Sequence, residues 1–218
     1  MMGIGNERGI ALFEGAGALL HGHFRLQGGA DSLYYVAKDL LWQNDEAAME
    51  EICRGIAEDF ASYNIEIIIG PENGAIKYAE CTAKILSEIT GRPVQFIRAR
   101  KCQGGGKQFY IDLGDLRHVR GKRTLVVEDV FSTGESAAKV VALARTHHMY
   151  VVAVGGVWKR GKVTAADLGV KKFIVQIDQQ YPTYTPGEEC PACRLKIHYD
   201  MRWGHAKNLV NDPLAIMP

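Results

Sequence analysis

Glu128 and Asp129 stand side by side after the apolar run Thr124-Leu125-Val126-Val127, and Val130-Phe131-Ser132-Thr133-Gly134-Glu135-Ser136 follows. A buried strand of this composition delivers both acids to its C-terminal end. The next turn offers small hydroxyls, a glycine and free backbone N–H groups at the start of a helical pattern. Such a turn binds phosphate, because unpaired N–H groups and the helix dipole favour an anion. The acids before it repel a phosphate and suit neutral donors, such as sugar hydroxyls, or a metal ion. The pattern therefore fits a phosphorylated sugar. The plain alternative is an ordinary strand–turn–helix of an α/β protein.

Further groups with chemical potential lie along the chain. Gly70-Pro71-Glu72-Asn73-Gly74-Ala75 closes an apolar strand, and its glycines let backbone approach an anion closely. From Arg98 to Asp112 the chain carries Arg98, Arg100, Lys101 and Lys107 around Gly104-Gly105-Gly106. Three adjacent glycines cost too much entropy for a regular element, so a mobile basic loop is expected, able to close over an anion. These glycines do not open a helix and lack dinucleotide-fingerprint spacing. Cys190 and Cys193 have zinc-ligand spacing, with His198, His205 or a partner subunit as sources of the remaining ligands. The plain alternative is a tail packed on the domain. His147 and His148 end a helical pattern and read as structural.

The elements that must position these groups follow from the apolar runs. Strands are expected at Ile65–Ile69, Val94–Ile97, Thr124–Val130, Val151 to about Trp158, and Lys172–Ile177. Continuous apolar runs with helices between them indicate parallel strands covered on both faces. Helices are expected from Asp45, a capping residue, toward Ser62, from Gly74 to Ile89 and from Gly134 to His147. The fold class is α/β, a doubly wound, mainly parallel five-stranded sheet flanked by helices. Ligands of such sheets bind at the carboxyl ends of the strands. The expected division is an N-terminal segment over residues 1–44, a core over 45–180 and a tail over 181–218.

Composition bounds the rest. The 218 residues carry a formal net charge of +1, which argues against nucleic acid as a partner. No apolar run approaches membrane-spanning length. No basic segment followed by an apolar core stands at the N-terminus, so no secretory signal is expected. Five irregularly spaced cysteines do not make a disulfide framework, and a cytoplasmic protein with reduced thiols is expected.

The stretch from Thr124 to Ser136 resembles the 5-phosphoribosyl 1-diphosphate (PRPP) motif of type I phosphoribosyltransferases. Gly70-Pro71-Glu72-Asn73-Gly74 looks like their diphosphate loop in the form many orotate phosphoribosyltransferases carry. Gly29, Ser32, Tyr35 and Lys38 fall in register with the N-terminal hood segment of that family. Pro182-Thr183-Tyr184, with Cys190-Pro191-Ala192-Cys193, is similar to the tail of one bacterial and archaeal branch.

This resemblance implies transfer of a phosphoribosyl group from PRPP to orotate, releasing diphosphate, with Mg²⁺ as cofactor and a homodimer as assembly. It makes residues 1–44 a hood and implies no protein ligands for Mg²⁺. Glu128 and Asp129 would hold the ribose hydroxyls, and Ser132, Thr133, Gly134, Glu135 and Ser136 the 5′-phosphate. Glu72, Asn73, Gly74, Arg98 and Arg100 would meet the diphosphate. Asp129, Lys101 and Lys107 would be catalytic. Ser132, Tyr35, Lys159 and Arg160 would face the base, Lys159 being nearest by register to the arginine that pairs with the orotate carboxylate. The loop carries no histidine where many members have one, and Trp158 stands where an acid is common. A purine or uracil acceptor, a non-catalytic PRPP-binding regulator and a zinc-stabilised binding module are the alternatives.

Overall fold

A computed structural model describes residues 4–102, 108–187, 189–209, 212, 214 and 215. The elements in chain order are α1 (Asn6–Gly15), β1 (Leu19–Arg25), β2 (Asp31–Val36), α2 (Lys38–Asn44), α3 (Glu46–Phe60), β3 (Ile67–Pro71), α4 (Ile76–Thr90), β4 (Gln95–Lys101) and β5 (Phe109–Tyr110). They continue with β6 (Arg123–Phe131), α5 (Glu135–Thr146), β7 (Tyr150–Lys159), β8 (Phe173–Asp178), β9 (Thr183–Tyr184) and α6 (Pro191–Arg194). No helix among the described residues is long and apolar enough to cross a membrane.

The central sheet runs β5-β4-β3-β6-β7-β8. Five strands are parallel, as the apolar runs lead one to expect. The sixth, β5, is a two-residue antiparallel edge that pairs Tyr110 with Arg100 and Phe109 with Lys101. Alternation sorts the strand side chains onto two faces. Ile68, Leu125 and Val127 join the core beneath α3 and α4. Ile67, Ile69 and Val126 join the core beneath α5. Each fully buried branched side chain contributes roughly 1.5–3 kcal/mol relative to exposure.

Helix boundaries follow local chemistry. The Asp45 side chain accepts from the Ala48 N–H at 2.9 Å and so caps α3. Met49, Ile52, Cys53, Ile56 and Phe60 then recur at helical spacing on the buried side. Helix α4 closes at Gly91 in the left-handed region.

The chain leaves β3 toward β4 on one side, whereas β6 pairs with β3 on the other. The order therefore reverses between β3 and β6, the switch point at which doubly wound sheets open a crevice. Above it sits a small antiparallel sheet, β1-β2-β9. Thr183 and Tyr184 pair with Ser32 and Asp31, so the C-terminal segment completes the sheet begun by the N-terminal hood.

Candidate active site

A cleft of about 260 Å³ opens at the switch point. Its floor is the end of β6, with Glu128 and Asp129 each 7% exposed. One wall is the turn after β3, contributing Glu72, Asn73 and Gly74. Ser132 and Ser136 stand at the start of α5, Lys101 at the end of β4, and Arg160 just beyond β7. The hood supplies Gln27, Tyr35 and Lys38, and the C-terminal segment supplies His205.

The turn after β6 forms its own hollow of about 70 Å³, lined by Thr133, Gly134, Glu135 and Ser136 together with Gln27 and Glu128. Gly134 adopts a φ of 74°, which favours glycine, and turns the chain into α5. The α5 N-terminus thus faces this hollow, with the Glu135 N–H bonded to Thr133 Oγ1 at 3.4 Å. The other glycine with a demanding role is Gly74. A Cβ there would lie 1.8 Å from Asp129 Oδ2 and 2.5 Å from Lys38 Cε, so the absent side chain is what lets the wall close on the floor.

The acids differ in environment. Burial, then the adjacent Asp129 charge, pushes the Glu128 carboxyl well above the ordinary carboxylate range. Asp129 Oδ2 lies 3.5 Å from Lys38 Nζ, which also meets Asp39 at 3.2 Å. Burial alone would lower the Lys38 pKa, but the Asp129 and Asp39 carboxylates outweigh it and hold the ammonium above its usual value. The Tyr78 hydroxyl donates to the Lys38 carbonyl at 2.7 Å and fixes the start of α2 beside the floor.

The residues singled out in the sequence divide plainly. Arg160, one residue off the expected register, reaches the cleft, and its Nε donates to Ser132 Oγ at 2.7 Å. Lys159 turns away and pairs with Asp178 at 2.6 Å. Arg100 bonds Asp112 at 2.6 Å and lies 3.9 Å from Glu72, and neither it nor Arg98 lines the cleft. Glu72 accepts from the Lys101 N–H at 2.9 Å and so braces the base of the basic loop. Lys107 and the triglycine lie outside the described residues. Ser32 is buried and spends its hydroxyl on the Tyr34 N–H and the Pro182 carbonyl. Trp158 is fully buried, with Phe13 edge-on at 5.0 Å and its N–H donated to the Gln179 carbonyl.

Three cleft residues stand outside the expected site: Gln27, where some members of the resembled family carry a phosphate-contacting lysine, Lys38, and His205, which the spacing offers only as a zinc ligand. Lys38 follows an ordinary strand, and only its register with a family segment marked it. Gln27 sits on the β1–β2 hairpin, where the Leu26 N–H bonds the Ala30 carbonyl. Cys190 and Cys193 lie away from the cleft, beneath the hood. The groups beside them are His23 and Asp31, not His198 or His205. His198 is exposed and His205 lines the cleft.

Next to the cleft is a mainly apolar hollow of about 160 Å³ between hood and core. The two share Leu26, Val36, Ser132 and Arg160. Tyr34, Tyr181 and Thr183 line only the second. A polar trough holding two acids and a phosphate-type turn therefore adjoins a mainly apolar recess, with Arg160 where the two meet.

Comparison with known proteins agrees with this geometry. The family model described as "Phosphoribosyl transferase domain" matches residues 40–185. The orotate phosphoribosyltransferase of Caldicellulosiruptor bescii is 33% identical over 190 residues, covering 85% of this chain and 90% of that protein. The orotate phosphoribosyltransferase of Pelotomaculum thermopropionicum is 32% identical over 191 residues, covering 86% and 92%. The fold is shared with Mycobacterium tuberculosis H37Rv orotate phosphoribosyltransferase, solved in complex with PRPP. Its TM-score is 0.58 at 23% identity, covering 78% of this chain and 95% of that one.

Proposed function

The chain belongs to the phosphoribosyl transferase family, and we propose that within it this protein transfers the phosphoribosyl group of PRPP to orotate, giving orotidine 5′-monophosphate and diphosphate. The observation that carries the reading is the joining of three sites in one trough. These are the paired acids Glu128 and Asp129, the anion turn at Ser132–Ser136, and the recess that Arg160 joins to the cleft.

In this reading the 5′-phosphate seats in the hollow after β6, against the α5 N-terminus. Asp129 and Glu128 accept hydrogen bonds from the ribose hydroxyls. The diphosphate lies toward Asn73, Gly74 and Lys101. Orotate enters the recess flat, and its carboxylate meets the Arg160 guanidinium, whose fork suits bidentate pairing. Ser132, bonded to Arg160, orients that fork, and Tyr35 borders the base.

The bond from ribose C1′ to the diphosphate oxygen breaks as the bond to the orotate nitrogen forms. Glycosyl transfer of this kind passes through an oxocarbenium-like state. The chain's contribution is positional and electrostatic. The acids place the ribose and sit near its developing positive charge. The Lys101 side chain stands where charge grows on the leaving oxygens. The hood over the cleft excludes water.

The oxygen-rich floor fits a hard divalent cation, and Mg²⁺ bound to the diphosphate would supply further charge neutralisation there. Asp129 and Glu128 are the carboxyl groups that would attract it. A homodimer and a cytoplasmic setting complete the proposal.

The test follows orotate consumption by absorbance with PRPP and Mg²⁺, with uracil and hypoxanthine in parallel. Turnover of orotate alone supports the reading. Turnover of either control in its place overturns the choice of base, and turnover of none overturns the enzyme. Light scattering on the same preparation reports the assembly.

A further inference from the structure

Four metal-ligating side chains meet beneath the hood, away from the cleft. His23 comes from β1, Asp31 from β2, and Cys190 and Cys193 flank the start of α6. His23, Asp31 and Cys190 are at most 1% exposed. We propose that these four side chains bind one zinc ion, which clamps the C-terminal segment to the hood.

Four of the six distances between ligand atoms are close to those of vertices around a common centre. His23 Nε2 lies 3.4 Å from Asp31 Oδ2, 3.5 Å from Cys190 Sγ and 3.6 Å from Cys193 Sγ. Cys193 Sγ lies 3.2 Å from Asp31 Oδ2. All the ligand atoms fall within 4.8 Å of one another. Tetrahedral zinc with bonds of about 2.0–2.3 Å places neighbouring ligand atoms roughly 3.3–3.8 Å apart.

Hydrogen bonding alone accounts poorly for this packing. His23 Nδ1 lies 2.7 Å from the Ile197 carbonyl, which can only accept, so Nδ1 carries the proton. A neutral ring then turns a lone pair at Nε2 toward the cluster. That lone pair faces the Asp31 carboxylate oxygen at 3.4 Å, acceptor against acceptor, and the two sulfurs offer only weak S–H donors to either. The Nδ1–H to carbonyl bond is the arrangement that orients a metal-bound imidazole. The carboxylate is braced likewise: Asp31 Oδ1 accepts from Arg25 Nε at 2.6 Å and lies 3.1 Å from the Tyr199 hydroxyl. The Tyr199 ring stacks on His23 at 3.9 Å.

Charge balance points the same way. Two thiolates and one carboxylate around a divalent cation leave one negative charge, and the Arg25 guanidinium cancels it. A buried cluster so neutralised avoids the cost of uncompensated charge. Both cysteines are free thiols, so no disulfide competes for them. The two sulfurs and the nitrogen select a borderline-soft ion, which favours zinc over magnesium or calcium.

The clamp has a structural consequence. Just past the cysteines, the Asp200 N–H bonds the His23 carbonyl and the His205 N–H bonds the Arg25 carbonyl, each at 2.8 Å. The strand that carries a zinc ligand thus also holds the segment that brings His205 to the cleft.

Metal content tests this independently of any activity. The untagged full chain, purified without chelator, is expected to hold one zinc ion per chain by elemental analysis. Cys190→Ser, Cys193→Ser and Asp31→Asn should each lose it, whereas Cys81→Ser, on α4, should keep it. Stripping the wild type should lower Tm by roughly 5 °C or more, because metal binding contributes folding energy. Refilling it with Co²⁺ should give the visible bands of a tetrahedral thiolate site, a readout that needs no variant to fold. Wild-type chain that holds no metal after incubation with excess zinc overturns the proposal. So does zinc retained equally by Cys193→Ser and Cys81→Ser, or a Cys190–Cys193 disulfide in protein purified from reducing cytoplasm.

Discussion

Lys38 Nζ lies 3.5 Å from Asp129 Oδ2, across the gap that Gly74 leaves open. The hood and the core sheet thus meet at a charge pair on the floor of the cleft. Asp129 is nearly buried, and a lone charge there would be costly. The pair fixes the carboxylate and adds a cation where a diphosphate would bind.

The first prediction concerns that pair. Asp129→Asn should leave Tm almost unchanged. Losing a hydrogen bond to a charged group removes about 1.5–3 kcal/mol, which is about tenfold to a hundredfold in kcat/KM for PRPP. Lys38→Met should raise KM for PRPP. The double variant should lose less than the two single losses combined, because the residues act as a unit. Strict additivity in the steady-state kinetics would separate them, and near-normal turnover of Asp129→Asn would remove Asp129 from the chemistry.

Arg160 and Lys159 are neighbours with opposite fates, one in the cleft and one bonded to Asp178. Arg160→Ala should raise KM for orotate by about tenfold or more, the loss expected for a desolvated charge-assisted pair. KM for PRPP should change little. Arg160→Lys should restore only part of the loss, since an ammonium cannot reproduce the fork. Lys159→Ala should leave both constants near wild type. Kinetics with each substrate varied in turn decide the matter, and a larger orotate effect from Lys159→Ala would reverse the assignment.

What could be read from the chain depended on how local the information was. The five parallel strands were legible because strands buried on both faces are continuous apolar runs, as Ile67–Ile69 and Leu125–Val127 are. The paired acids and the anion turn were legible because one strand–turn–helix holds them all. Strand β5 was not, since two residues carry no period and exist only by pairing with β4. Strand β1 hides its alternation behind a shift in pairing between His21 and Phe24. Register alone points to Lys159 rather than Arg160, because register does not show where a strand ends. Both backbone N–H groups of Arg160 and Gly161 bond the Phe131 carbonyl, which turns the chain inward just past Lys159. The partners of Cys190 and Cys193 were beyond reach for the same reason: His23 and Asp31 lie more than 150 positions away in the sequence.

His205 yields the third prediction. It reaches the cleft from the C-terminal segment, in a chain whose basic loop has no histidine. Its backbone is fixed to Arg25, so the imidazole can be removed without releasing the segment. His205→Ala should lower kcat/KM for PRPP by about tenfold, the size of one lost hydrogen bond of about 1.4 kcal/mol, with Tm unchanged. His205→Gln, which keeps hydrogen-bonding capacity, should recover part of it. Wild-type kinetics in His205→Ala would make the residue a bystander at the rim.

Glu128 carries the last prediction, on pH. Burial and the Asp129 charge raise its carboxyl well above the ordinary range. A group whose pKa is higher folded than unfolded binds its proton more tightly in the folded state. Its stabilising contribution is complete below the ordinary glutamate pKa and fades as pH rises through the elevated folded value. Glu128→Gln has the same shape and no titration. The variant and the wild type should therefore melt at nearly the same temperature near pH 4, about the pKa of an ordinary glutamate. Their curves should part as pH rises, the variant becoming the more stable by about pH 8. The same substitution should weaken PRPP binding, because an amide is a poorer acceptor for ribose hydroxyls than a carboxylate. Melting curves without PRPP or divalent ions, taken across that range, provide the check. A wild type that gains stability over Glu128→Gln with rising pH would show that Glu128 ionises freely at the base of the cleft.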